Sequence, residues 1–358
     1  MKTRCFCGVV IASAVDSSQD RWRTRRNRFS ALATIPPLLL ATIALLGALI
    51  MMAGDVMAQQ ARRPYRIGVL NEAWAANHPT VEGLKAGLRE LGLQEGQDVT
   101  FDIRFTEGNS KVMPAAAAAL VKSGVDLIFT SNEAATLAAK EATQRIPVVF
   151  TLVGDPVATG IVAKLAKPEG NLTGISSLTT ELVPKRLEVL KKLIPTVRRV
   201  FAFYHEADVP SSAAIVRALE AAPRLGLEVV PRTVVTPQQL DELLKRLHPG
   251  DAVLAPDITT MDIPAVILEA SLASQFPAVF SAELWVTHGG LVSYGADYRA
   301  QGVQAARLVA KILRGTRPQD LPVEGADKID LAVNLKTAHL LGVTVPRKVL
   351  LRADVLRR

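Results

Sequence analysis

Side chains that can donate, accept or stack collect at a handful of loop positions in this chain. They are Asn71, Trp74, Asn77, His78, Ser131, Asn132, Asp155, Tyr204, Asp257, Thr259, Glu283 and Tyr294. Nearly all follow or end a short apolar run. Ser131-Asn132 closes such a run and opens a helix-period stretch. Free N–H groups and the positive end of the helix dipole there can hold a carboxylate or phosphate, or the same residues can simply cap the helix. Asp155-Pro156, within VGDPV, reads as a turn, and Asp155 can accept from a solute amine or from its own backbone. Trp74, Tyr204 and Tyr294 can stack on a planar solute or pack at a rim. Aromatic residues are only 5% of the chain, so three at strand ends stand out. Asp257, with Thr259 close behind, can receive an ammonium or cap a helix over 263–274. Glu133 and Glu283 can add further charge, although isolated carboxylates are more often solvated.

Signals for turnover are missing. The five histidines (His78, His205, His248, His288, His339) show neither HExxH nor zinc-like spacing. No GxSxG elbow, GxxxxGK[ST] loop or GxGxxG fingerprint occurs. Hydrolysis, nucleotide chemistry and hydride transfer therefore lack their usual supports. No catalytic residue, metal or cofactor is expected, and the pattern suits binding.

The elements that must position these loops repeat. RIGVL (66–70), VDLIFT (125–130) and IPVVFT (146–151) are short apolar runs of the kind buried parallel strands show, and helix-period segments separate them. The cycle recurs as RRVFAF (198–203), DAVLAP (251–256) and FPAVFS (276–281). Strands alternating with helices predict an α/β protein of two doubly wound parallel-sheet lobes joined by a hinge. The expected division is a first lobe over 62–178, a second over 179–293, and a crossover with a C-terminal segment over 294–358. That tail is expected to add one more strand and helix. In open sheets of this kind a solute lies beyond the carboxyl ends of the strands, where the polar and aromatic loops fall.

A leader precedes both lobes. Arg21, Arg23, Arg25, Arg26 and Arg28 form a basic region, Ala31–Met52 is apolar, and Val56-Met57-Ala58 supplies small residues for cleavage. A signal peptide over 1–58, cut near Ala58, with a periplasmic destination is expected, and a retained membrane anchor is the alternative. Arg25-Arg26 leaves twin-arginine export open beside the general route. Cys5 and Cys7 both precede the apolar stretch, so the remainder carries no thiol for disulfides or metal. Residues 1–58 hold seven of the 42 basic and three of the 34 acidic residues, so the net charge of +8 falls to +4 without them. No basic run interleaved with aromatics occurs, and no nucleic-acid partner is expected.

Five longer segments carry a resemblance. NHPTVEGLKAGLRELG (77–92), IPVVFTLVGDPVATGIVAKLAKPEGNLTGIS (146–176), KRLEVLKKLIP (185–195), GGLVSYGADY (289–298) and LAVNLKTAHLLGVTVPRKVLLRAD (331–354) resemble the ABC transporter substrate-binding proteins of the tryptophan- and tyrosine-binding type. The resemblance spans residues 64–356. It implies a two-lobed periplasmic binding fold that delivers a small-molecule ligand to a membrane permease and its ATPase. Such a protein touches the membrane only through the permease, and a monomer is expected. Carried over, the family's cleft loops fall on Asn77-His78-Pro79, Ser131, Asp155-Pro156, Asp257, Thr259 and Tyr294. His205-Glu206 follow Tyr204 where the family often has Asn-Pro, and Ile258 stands where Asn is common, so the resemblance does not by itself carry over the aromatic specificity. An amino acid or similar small carboxylate is the expected solute. The alternatives are a periplasmic sensor that presents the same closed state to a signalling receptor, and an enzyme on the same scaffold.

Overall fold

The computed structural model describes residues 63–72, 77–256 and 263–358. The leader, Trp74, Asp257 and Thr259 lie outside them. The chain opens with β1 (Tyr65–Asn71), α1 (Pro79–Glu90), β2 (Val99–Phe105), α2 (Met113–Lys122), β3 (Leu127–Ser131) and α3 (Glu133–Ala142). Then come β4 (Val148–Val153), β5 (Leu172–Ser176), α4 (Val183–Leu193), β6 (Arg199–Tyr204), α5 (Val209–Ala221), β7 (Glu228–Thr233) and α6 (Pro237–Leu244). They are followed by β8 (Ala252–Leu254), α7 (Ile263–Ser274), β9 (Ala278–Phe280), α8 (Glu283–Thr287), β10 (Val292–Ala296) and α9 (Tyr298–Leu313). The last elements are β11 (Glu324–Gly325), β12 (Ile329–Asn334), α10 (Leu335–Leu340), α11 (Arg347–Leu350) and β13 (Val355–Arg357).

These strands form two sheets. The first has the order β11-β5-β4-β3-β1-β2 and the second β13-β12-β10-β9-β8-β6-β7. All described pairs are parallel except β10 with β12. In each sheet the order reverses around one strand, β1 in the first and β6 in the second. The chain is thus two doubly wound α/β lobes, as the repeated apolar runs predict.

The helices start where the sequence supplies a start. Proline occupies the first turn of α1, α2, α4, α5 and α6, where its fixed φ fits and its missing N–H costs nothing. Asn132, Asp208, Thr236 and Asp297 cap α3, α5, α6 and α9 through side-chain oxygens. Each sheet buries both faces. Ile67, Val69, Leu127 and Phe129 pack beneath α1 and α9, while Leu70, Ile128 and Phe150 pack beneath α2 and α3. In the second lobe, Val200, Ala202 and Leu254 meet α4 and α5, and Phe203, Val253 and Phe280 meet α6 and α7.

The tail divides between the lobes. Helix α9 packs in the core of the first lobe and β11 pairs with β5, whereas β12 and β13 extend the second sheet. Beyond α9 it holds three strands and two α-helices, more than the single strand and helix that the sequence suggests. Among the described residues the chain passes between the sheets three times, after β5, after β10 and after β11. The second and third passages are tied together. Asp297 N–H donates to the Lys328 carbonyl at 3.1 Å, and Lys328 Nζ bonds Asp297 Oδ2 at 2.6 Å and Asp330 Oδ2 at 3.1 Å. Burial pushes the Asp297 carboxyl up, but Lys328 and the N–H groups of Ala300 and Arg299 outweigh it and hold the group below its ordinary value. The first passage is fixed by Arg186, which is buried. Its guanidinium donates to the carbonyls of Thr179 and Tyr294, each at 2.9 Å.

Candidate functional site

In the first lobe the reversal of strand order falls between β1 and β3, and Asn71 and Ser131 are register partners at that edge. Both are buried. The loops beyond them are joined: Asn132 Nδ2 donates to Glu72 Oε2 at 2.7 Å, and Asn132 Oδ1 accepts from Ala135 N at 2.9 Å. Asn132 therefore caps α3 and fixes the end of β1 at once. It does so with φ of 110° and ψ of 171°, outside the αL basin and in a region of the backbone map that side chains rarely adopt. Glu133 is buried, and its Oε1 accepts from Gly154 N at 3.2 Å, which brings the end of β4 to the same edge.

His78 caps α1. Its Nδ1 accepts from Thr80 N at 3.4 Å and lies 2.8 Å from Thr80 Oγ1, which leaves Nε2 as the protonated nitrogen. Its ring stacks on Tyr298 with centroids 5.9 Å apart. Burial lowers its pKa from the ordinary 6.5 to about 4, so the ring is neutral at physiological pH. The consequence for stability has a definite sign. Between about pH 4 and 6.5 the unfolded chain holds a proton here that the folded chain lacks, so stability rises with pH through that window. Acidification from pH 7 to 4 should therefore remove about 1–3 kcal/mol through this group. His78→Asn keeps a capping side chain and should flatten that part of the profile, as read from urea midpoints across the range. An unchanged profile would assign the acid sensitivity elsewhere.

The other expected residues divide. Tyr204 ends β6, the strand around which the second sheet reverses, and is half-buried against the second core. Tyr294 lies on β10 and also packs partly into that core. Asn77 is exposed ahead of α1. Asp155 turns on itself: Oδ1 accepts from Val157 N at 3.1 Å and Ala158 N at 2.9 Å, the backbone-bonded alternative. Glu283 opens α8 and pairs with Arg357 on β13 at 2.8 Å, so its carboxylate is engaged within the second lobe. His205 also serves its own turn, Nδ1 accepting from Ala207 N at 3.2 Å. Tyr298 and Gln301, in the first turn of α9, were not among the expected residues. Gln301 is buried, and its Oε1 accepts from Leu152 N at 3.3 Å. Its place on the buried stripe of α9, which it shares with Gln304, was the available signal. Among the described residues no group of His, Cys, Asp and Glu is placed to hold a metal, and no helix is long and apolar enough to cross a membrane.

Known proteins are similar to this chain in sequence and fold. A tyrosine-binding protein of Clostridioides difficile (strain R20291) is 27% identical over 270 residues, 74% of this chain and 78% of that protein. A crystal structure of a conserved domain protein from Vibrio cholerae O1 biovar El Tor superposes with a TM-score of 0.75 at 28% identity, over 82% of this chain and all of that one. An ABC domain from Streptococcus pneumonia, solved in complex with L-Trp, gives a TM-score of 0.73 at 26% identity, over 82% of this chain and 99% of the other. A profile of the ABC transporter substrate binding protein family matches residues 74–356. The chain belongs to that family.

Proposed function

We infer that this protein is the periplasmic solute-binding component of an ABC importer and that it captures an amino acid or similar small carboxylate between its lobes. The observation that carries the reading is the pairing of two strand-order reversals with polar and aromatic side chains. Asn71, Ser131 and Asn132 stand at one reversal and Tyr204 at the other, the position where open α/β sheets receive ligands. The solute class is supported by the tyrosine-binding relative and by the L-Trp complex of a similar chain. His78, Tyr294, Trp74, Asp257 and Thr259 complete the proposed set. Asp257 would receive the solute's ammonium, and Tyr204 would cover its apolar part.

In this reading the leader is removed near Ala58 and the two lobes, of about the 62–178 and 179–293 extents, close as a hinge over the solute. Closure excludes water and presents a solute-dependent surface to a permease and its ATPase. Because the solute binds only the folded state, it should raise stability. At about a hundredfold excess over Kd, linkage gives roughly 2.7 kcal/mol. A thermal-shift screen of the exported protein across amino acids, small carboxylates and nucleosides should show a shift with at least one amino acid. No shift with any of these compounds would count decisively against a solute-binding role.

A further inference from the structure

Ser131 Oγ and Gln301 Nε2, like Thr106 Oγ1 after β2, are polar atoms of the first lobe that have no partner among the described residues although water cannot reach them. Ser131 and Gln301 are 3% and 1% exposed. Both belong to one layer. Ile67, Val69, Leu127, Phe129 and Val149 face the core shared with α1 and α9. Two-residue alternation then sets Asn71, Ser131 and Thr151 on that same face at the strand ends. Register makes them a row, with Asn71 beside Ser131 and Ser131 beside Thr151. Gln301 reaches this edge from α9 through its bond to Leu152, the residue after Thr151.

Leu152 explains what the glutamine does there. Its φ is 56°, a left-handed conformation that side chains disfavour, and the register between β4 and β5 shifts between Phe150 and Val153. An amide oxygen holds this turn by accepting the Leu152 N–H. That bond also fixes which end of the amide is which, so the Nε2 hydrogens are the end not engaged. Nearby acids are committed elsewhere: Asp297 caps α9 and binds Lys328, Glu72 accepts from Asn132, and Glu133 accepts from Gly154. The edge therefore offers donors, and an unmade buried donor is costly unless an acceptor meets it.

We propose that Gln301 is a specificity-determining residue of the solute site, Nε2 donating beside Ser131 Oγ to the carboxylate of a bound amino acid while Oε1 holds the Leu152 turn. This rests on the amino-acid-binding reading above. The rival role, in which Gln301 acts only by holding the turn, makes a different prediction.

Calorimetric titrations of the wild type, Gln301→Met, Gln301→Glu and the double variant Gln301→Met/Leu152→Gly separate the two. The probes are L-tyrosine and L-tryptophan, with tyramine and tryptamine as counterparts lacking the carboxylate. The wild type should bind an amino acid more tightly than its amine counterpart. Gln301→Met should weaken amino-acid binding at least tenfold and shrink that preference. Gln301→Glu should weaken it further, because an oxygen then faces the carboxylate; if it does not fold, Gln301→Met decides. Adding Leu152→Gly, which removes the need for a side chain in the left-handed turn, should restore melting temperature but not affinity. Affinity within twofold of wild type in Gln301→Met would overturn the proposal while leaving the solute-binding reading intact, and so would full recovery of affinity in the double variant. If the wild type binds neither amino acid more tightly than its amine, the carboxylate contact is refuted whatever the variants do.

Discussion

Replacing Gly302 with valine should remove about 3 kcal/mol or more of folding stability, although no apolar contact is deleted. A Cβ at this position would stand 2.0 Å from the Thr80 carbonyl oxygen and 2.8 Å from Leu84 N, both backbone atoms that cannot rotate away. The crowding is reciprocal, since a Cβ on Gly83 would lie 2.0 Å from the Arg299 carbonyl oxygen and one on Gly87 2.7 Å from Ala306 Cβ. Helices α1 and α9 thus cross with their backbones nearly touching, and only glycine permits that spacing. Overpacking a filled core ordinarily costs about 1–3 kcal/mol, and more where backbone must shift. Against a typical total of about 5–15 kcal/mol that is a large share. Urea denaturation should show a clearly lower midpoint, whereas Val216→Ala, on the exposed face of α5, should stay within about 0.5 kcal/mol. A Gly302→Val midpoint equal to wild type, at an unchanged slope, would mean that the helices can separate freely.

The crossing also matters for the site. Helix α1 begins at the His78 cap and α9 at Tyr298, so the distance between these helices sets the His78–Tyr298 stack. Gln301 sits one residue before the glycine that fixes the crossing. Packing far inside the lobe is in this way linked to the geometry of the strand edge.

Much of this was legible in the chain. The strands of the first lobe stood out because both of their faces are buried, which writes them as continuous apolar runs. Their boundaries moved: β3 runs Leu127–Ser131 rather than 125–130, because the polar Ser131 still pairs with Asn71 and Thr151 in the ladder. In the second lobe β8 and β9 keep only three residues each, since the rest of their apolar runs serves as packed loop. The sequence marks Glu283 as a loop position, whereas it opens α8, because a single helical turn has no period to detect. The two residues of β11 are a strand only by virtue of β5 beside them. At the site, the capping role of Asn132 and the self-closed turn of Asp155 were available from residue type. The Glu283–Arg357 pair was not, because its partners are brought together by a sheet edge that forms only when β13 docks. Gln301 escaped notice for a similar reason, as its meaning depends on Leu152, which a different sheet strand delivers.

The most direct test of the account is calorimetric titration of the Tyr204→Ala and Asp257→Ala variants with the amino acid found in the thermal-shift screen. Tyr204 ends the strand around which the second sheet reverses and is half-buried at the margin of the core, so unaltered circular dichroism is required of its alanine variant. A stacked ring and a charge-assisted hydrogen bond contribute on the order of 1–3 kcal/mol each, so each alanine should weaken binding about five- to a hundredfold. Glu220, whose exposed carboxylate lies 3.5 Å from Arg217, supplies the control, and Glu220→Ala should leave affinity unchanged. One-to-one binding by the wild type with that loss in both variants, at unaltered circular dichroism, is the result this account predicts. Wild-type affinity in folded Tyr204→Ala and Asp257→Ala would contradict it and place the solute elsewhere.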